Sequence, residues 1–234
     1  MASMIPASRP AALAYRIAAS AVILWGIGRV SGIWAGEPTW SSFLYYTVLS
    51  NVLCLVWIAG SAIRTLSDAR ASGWRGPSTP SARGAAAVME AITVTMLIYL
   101  FVLAPALFTQ PGAYRPFTLT DNLVHIVTPV LVIVDWLLFV PKGRLRAYDP
   151  LLWALIPYAY LVFAFAYSAS GGRFAGGTTV PYPFMNVETH GVGGVALWII
   201  GLTAALVAVG YVFVGADRLL GRLLRPALPR PLRD

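Results

Sequence analysis

Six long apolar stretches run through this chain, and the gaps between them alternate between arginine-rich and almost free of positive charge. A hydrocarbon core about 30 Å thick is crossed by roughly 20 apolar residues rising 1.5 Å each. Stretches of that kind are Ala11–Trp34, Phe43–Ile63, Ala85–Phe108, Asn122–Val140, Leu151–Ser168 and Val192–Gly215. Within lipid each backbone polar group must be satisfied inside its own segment, which favours helix for every one of them. The predicted fold is therefore all-α, a six-transmembrane-helix bundle occupying residues 1–234 as a single integral membrane domain. Only 11% of the 234 residues are charged, against about 25% in soluble domains, which argues against a water-soluble globule. The fifth span is the shortest and carries Pro157, so a kink or tilt is expected there. The first is too long for the apolar region of a secretory signal and reads as a retained helix.

The charges orient the bundle. Arg9 and Arg16 open the first span. Arg64, Arg70, Arg75 and Arg83 follow the second, Lys142, Arg144 and Arg146 follow the fourth, and Arg218, Arg222, Arg225, Arg230 and Arg233 follow the sixth. The opposite side has only Arg29, Arg115 and Arg173. Lys and Arg accumulate on the cytoplasmic side of short loops, so both termini are expected in the cytoplasm, with 217–234 as a basic tail of a multi-pass plasma (cytoplasmic) membrane protein. The formal charge of +8 then anchors the chain to anionic headgroups rather than to nucleic acid. The lone Cys54 excludes an intramolecular disulfide. Ser67–Ser81 reads as a mobile loop, the final RPALPRPLRD as a disordered tail, and no internal repeat of the transporter kind is visible. The outer loop Ala169–His190, with VPYPFMNVETH, reads as a structured cap or lid.

Scarce polar residues inside spans face a bundle interior or cavity. Counted from the outer ends, Thr47 lies about four residues in, roughly 6 Å, and His125 about three, roughly 5 Å, so the two are nearly level. Asp121, His125, Thr128, Val132 and Asp135 share a face of the fourth span, and an Asp121 carboxylate one turn from His125 is placed to orient the imidazole. Thr47 and Asn51 share a face of the second span. Glu37, Glu188, His190, Arg29 and Arg173 come at the same outer level, and Arg173, Tyr182, Glu188 and His190 are the pocket or lid candidates. A second layer near the cytoplasm joins Arg16, Glu90 and Asp135, expected to form a structural buried pair or triad, or else a proton or ion path.

Plainer readings stand beside these. Threonine in a membrane helix usually bonds its own backbone, histidine completes networks, and asparagine joins helices. Trp40, Tyr45, Tyr46, Tyr114 and Phe117 suit an interfacial aromatic belt. Metal hydrolysis is poorly supported, since two histidines, His125 and His190, are few even with Glu188 or Asp121 to join them, and no cofactor is called for. Lys142, the only lysine, falls outside the spans, which disfavours a retinal protein, and no Gly-x-Ser-x-Gly pattern points to a serine protease.

The phrases YYTVLSN (Tyr45–Asn51), LVHIVTPVLVIVDWLLFVP (Leu123–Pro141) and YPFMNV (Tyr182–Val187) resemble the family of androgen-induced and androgen-dependent TFPI-regulating membrane proteins, in its bacterial six-helix branch. The resemblance covers most of the chain and implies an intramembrane hydrolase of fatty-acid esters of hydroxy fatty acids or a related acyl ester, with Thr47 as nucleophile and His125 as base. Asp121 receives no role from it, nor does Asn51. On chemical grounds Asp121 would steady the imidazolium, and Asn51 or Tyr46 would donate to the oxyanion. The implied partners are a lipid or acyl-ester substrate and the membrane lipids. The alternatives are small-molecule or proton-coupled transport along a polar stripe from His125 to Asp135, a lipid-binding protein without catalysis, and a structural partner lacking any pocket.

Overall fold

A computed structural model describes residues 8–105 and 116–224. Tyr114, Arg115, the end of the third predicted span and the proline-rich tail from Arg225 lie outside the described residues. Among the described residues six helices are long and apolar enough to cross a membrane: α1 Arg9–Val30, α2 Tyr46–Ser72, α3 Ala82–Leu103, α4 Leu119–Phe139, α5 Asp149–Ala169 and α6 Val187–Leu223. The described residues form no strand, only an isolated bridge between Ser8 and Arg75.

Local chemistry sets the ends. Ser8 caps α1 and Ser81 caps α3 through side-chain oxygens that accept backbone N–H groups, the expected remedy for orphaned first-turn donors. Thr118 and Asp121 form a reciprocal capping box at the start of α4. Asn186 caps the first turn of α6, which then breaks at Gly191, where φ is 67°. In α5 the helix is interrupted at Ala154, because Pro157 has no N–H for the Trp153 carbonyl and its ring crowds that group.

Several predicted boundaries need correction. α1 stops at Val30, and Trp34 sits in a separate 3₁₀ turn with its indole N–H donating to the Trp25 carbonyl at 3.0 Å. Trp40–Leu44 is likewise a 3₁₀ turn, so α2 begins at Tyr46. At its other end α2 continues through Ser72, into the segment expected to be a mobile loop. α6 runs on to Leu223, so Asp217–Leu223 is helix rather than tail. The Asp217 carboxylate accepts the backbone N–H groups of Arg144 and Leu145 at 2.8 and 2.9 Å, which ties the α4–α5 loop to α6. Beyond the break at Gly191, α6 continues from Val192 to Leu223, about 48 Å, well beyond one hydrocarbon thickness.

Helices α1 to α4 pack as a four-membered ring, α1 and α3 each touching both α2 and α4. The start of α5 and the length of α6 attach to the α3 side. The centre of the ring is apolar, with Ile23, Cys54, Ile58, Met89, Ile92 and Val132 packed together. Outward faces are apolar as well: Val192, Leu197 and Val212 are 75%, 72% and 68% exposed, as lipid-facing positions must be.

The end of the bundle carrying Arg9 and Asp217 holds a closed polar layer. Arg16 is wholly buried and pairs with Asp135 at 2.7 Å. Its Nη1 donates to the Thr65 hydroxyl at 2.8 Å and to the Ser78 carbonyl at 2.5 Å. Lys142 caps the end of α4, donating to the carbonyls of Trp136 and Val140. Arg83 and Asp149 form a further ion pair.

Glu90 does not join the expected triad. It is 1% exposed, and neither carboxyl oxygen has a hydrogen-bond partner among the described residues. Its side chain instead lies against Gly210 of α6: a Cβ built there would meet both Glu90 oxygens at 2.9 Å and the Pro150 Cβ at 2.7 Å. The reason is azimuthal. Arg16 and Asp135 face each other across α1 and α4, while Glu90 turns towards α5 and α6.

Removing one partner of a buried ion pair strands the other, at a cost of about 3–5 kcal/mol. Asp135→Ala is expected to lower the thermal unfolding midpoint in detergent sharply, and Arg16→Met with Asp135→Leu to recover most of the loss. Unchanged unfolding of Asp135→Ala would show that the pair carries no stability.

Candidate functional site

Two helical turns at the opposite end are wider than α. In each, the N–H just before a proline reaches back five residues instead of four: Ala104 to the Tyr99 carbonyl, ahead of Pro105, and Thr128 to the Leu123 carbonyl, ahead of Pro129. A proline ring displaces the carbonyl four residues earlier, and the chain relieves the clash by taking up one extra residue as a π turn. Tyr99 and His125 stand on these two turns, and their rings stack with centroids 4.1 Å apart and planes 10° from parallel.

The π turn in α4 leaves the Val124 carbonyl without its usual partner. Asn51 of α2 supplies one: its amide nitrogen donates to Val124 at 2.9 Å and to the Thr47 carbonyl at 2.7 Å. One side chain thus pins the start of α2 to the widened turn. The threonine on that start meets the histidine on that turn, with 3.3 Å between Thr47 Oγ1 and His125 Nε2. The other ring nitrogen, Nδ1, lies 3.1 Å from the Asp121 carbonyl. Since a carbonyl can only accept, Nδ1 carries the proton there, and Nε2 is left bare to accept from the Thr47 hydroxyl.

Thr47 and His125 therefore come together as the sequence suggested, although not by the depth arithmetic. Thr47 is the second residue of α2, whereas His125 lies six positions into α4. Asp121 orients the imidazole through its backbone carbonyl, while the charge of its carboxylate also acts on the ring. The carboxylate accepts from the Thr118 hydroxyl at 2.6 Å and from the Thr118 N–H at 3.2 Å in the capping box. Asn51 is no oxyanion donor, because both its amide bonds go to carbonyls. Tyr46 is not one either, since its hydroxyl donates to the Ala91 carbonyl at 3.2 Å.

The outer loop contributes Tyr182, Phe184 and Met185 to the cavity wall, and Tyr182 is the polar one. Tyr182 lines the cavity beside Thr47, and its hydroxyl feels the Thr47 side chain and the N–H groups of Tyr46 and Thr47. Burial pushes this phenol above the ordinary tyrosine range, and the groups around it pull the other way. These two N–H groups open a 27-residue helix with no side-chain cap, so they form the positive end of its dipole. Arg173, Glu188 and His190 do not line the cavity, and Glu188 and His190 are exposed. Those two sit on the short turn before the break at Gly191. Arg29 is likewise engaged elsewhere, donating to Thr120 at 3.2 Å.

Beside Thr47 lies a cavity of about 380 Å³, walled by Val94, Ile98, Leu161, Leu202, Leu206 and other apolar side chains of α3, α5 and α6. Thr47 and Tyr182 are among the few polar groups that reach it. Among the described residues no cluster of three or more His, Cys, Asp or Glu side chains is arranged to hold a metal ion. Tyr99 is the member of this site that sequence reading missed; its signal was a proline in or near each of two adjacent spans, a few residues beyond an aromatic or imidazole ring. No family model, curated protein or solved structure matches the chain.

Asn51→Leu removes the donor from a buried carbonyl, an omission costing about 1–3 kcal/mol. Its unfolding midpoint should fall, and any chemistry dependent on His125 should fall with it; a variant of parental stability would refute the bridging role.

Proposed function

We propose that the protein is an intramembrane acyl-ester hydrolase in which Thr47 is the nucleophile and His125 the general base. The observation that carries this reading is a threonine hydroxyl 3.3 Å from an imidazole nitrogen at the edge of an apolar cavity of about 380 Å³. Threonine is a weak nucleophile without an adjacent base, and a base held by a second group is the arrangement that activates it. The membership suggested by the resemblance to the TFPI-regulating proteins is part of the same proposal.

As Thr47 Oγ1 attacks the ester carbonyl carbon, His125 Nε2 takes the hydroxyl proton. The Asp121 carbonyl and the stacked Tyr99 ring favour the imidazolium so formed. The carbonyl oxygen becomes an oxyanion, and the Tyr182 hydroxyl, polarised by the first N–H groups of α2, donates to it. The imidazolium then protonates the leaving alkoxy oxygen as the C–O bond breaks, which leaves an acyl-threonine. A water molecule gives its proton to His125 and attacks the acyl carbon. Thr47 departs with that proton, and a carboxylic acid is released.

The charge pattern supports both termini in the cytoplasm, in a plasma-membrane protein whose site lies near the outer interface. Water for the second half-reaction then arrives from the extracytoplasmic side. The transport alternative gains less from the geometry. Between His125 and Asp135 the Thr128 hydroxyl turns back to the Leu123 carbonyl at 3.0 Å, and Val132 is buried in the apolar core.

Thr47→Ala and His125→Ala are each expected to reduce turnover of a long-chain lipid ester by about 10³-fold or more, with Thr47→Ser retaining part of it. Tyr182→Phe should cost about 10²-fold in kcat with little change in KM. Purified variants assayed in detergent decide this, and full activity in either alanine variant removes the assignment. A single cysteine placed at Ala175 should react with a membrane-impermeant maleimide added outside intact cells; reaction only after lysis would reverse the orientation.

A further inference from the structure

The cavity beside Thr47 reaches the lipid-facing surface of the bundle. The first turns of α5, Asp149–Trp153, pack closely on α3 and α6, but beyond the interruption at Ala154 the remainder, Leu155–Ala169, approaches neither helix as closely. The cavity occupies this wedge. Its wall begins at Ala154, where the helices part, and continues past Leu161 on α5, Ile199 and Leu206 on α6, and Val94 on α3. At the rim Phe101 is 75% exposed and Tyr158 is 39% exposed, and both also line the cavity. The outer surface is therefore continuous with the wall that ends at Thr47.

A single side-chain hydrogen bond among the described residues spans the wedge from α5 to α6: the hydroxyls of Tyr158 and Thr203 lie 2.8 Å apart. Thr203 sends its own proton to the Ile199 carbonyl at 2.6 Å, so Tyr158 is the donor across the gap. Around this pair the outward surface consists of Leu155, Val162, Leu197 and Ile200, all more than half exposed. Pro157 and the interruption at Ala154 give the outer part of α5 a hinge, because the backbone there is already missing part of its ladder.

We propose that the wedge between α5 and α6 is a lateral port through which one acyl chain of a bilayer lipid passes into the cavity, with the Tyr158–Thr203 hydrogen bond as its latch. Cleavage of that lipid at Thr47 rests on the hydrolase reading; the passage of the chain does not. The occupant is set by chemistry. The walls are apolar, and the volume lies in the range of small-ligand sites. Its polar groups at mid-height are already engaged: Thr95 with Ser50 at 2.9 Å, and the latch with itself. A methylene chain fits such a space, whereas a polar headgroup would remain outside it, at the Tyr182 end.

The test uses the full chain in phosphatidylcholine vesicles with a palmitate ester that carries a photoreactive diazirine on its chain. Cys54, the only cysteine, is buried, so Tyr158→Cys with Thr203→Cys can be joined selectively by a cleavable bis-maleimide. Photolabel is expected on Val94, Ile98 and Leu202 in the unjoined protein, to fall at least about tenfold on joining, and to return on cleavage. Undiminished label after joining, or no label on cavity residues before it, overturns the port. Tyr158→Phe alone should acquire label about threefold faster, the shift expected from losing one interhelical hydrogen bond in lipid; an unchanged or slower rate overturns the latch even if the double variant fails to fold. Thr47→Ala separates the two readings. If it hydrolyses normally while labelling still obeys the crosslink, the catalytic assignment falls and the port stands.

Discussion

A carbonyl that drops out of a helix inside hydrocarbon finds no water and must be met by the protein itself. Pro129 creates that demand in the middle of α4, and the site is assembled from the answers to it. The Thr128 hydroxyl and N–H both turn to Leu123. The Asn51 amide crosses from α2 to Val124. His125, on the widened turn, finds the Asp121 carbonyl for one nitrogen and the Thr47 hydroxyl for the other. Each bond satisfies a local need, and together they fix the distance and tautomer that a base requires.

The two polar ends of the bundle handle desolvation in opposite ways. Around Arg16 charge meets countercharge, and the remaining guanidinium donors have oxygen partners. Such a fully satisfied network holds helices in register and leaves nothing over for a ligand. Around Thr47 the groups are neutral, half-buried and grouped beside empty apolar space. Low polarity there strengthens any charge that develops during a reaction and rewards donors that are already in position. The apolar core at Ile23, Met89 and Val132 separates the two ends.

The six helices were legible because length and hydropathy alone decide what can cross a bilayer. Their ends were less so. Helix continues past an apolar stretch wherever capping and salt links permit, as α2 does to Ser72 and α6 to Leu223. Thr47 and His125 were legible as scarce polar groups, but their partners were not. Helical spacing places the Asp121 side chain near His125, yet the T-x-x-D pattern beginning at Thr118 claims that carboxylate for the helix start, and this signal was present in the sequence. The separation of Glu90 from Arg16 and Asp135 depends on how α1, α3 and α4 are rotated about their axes, which a one-dimensional depth count does not contain. Tyr182 could be placed in a cap over the bundle, but not at the first N–H groups of α2.

Gly210 has a consequence for evolution. It stands one turn beyond Leu206 on α6, opposite Glu90 and Pro150, which stand one turn from Val94 and Ala154 on their own helices. The three lining residues and the three beneath them thus form two stacked tiers, and the lower tier closes only because one position lacks a methyl group. Any larger side chain there meets the Pro150 Cβ and the Glu90 carboxylate, so the helices or those groups must shift to admit it. Drift at this one codon is therefore a simple genetic route by which descendants of this chain would respace α3, α5 and α6.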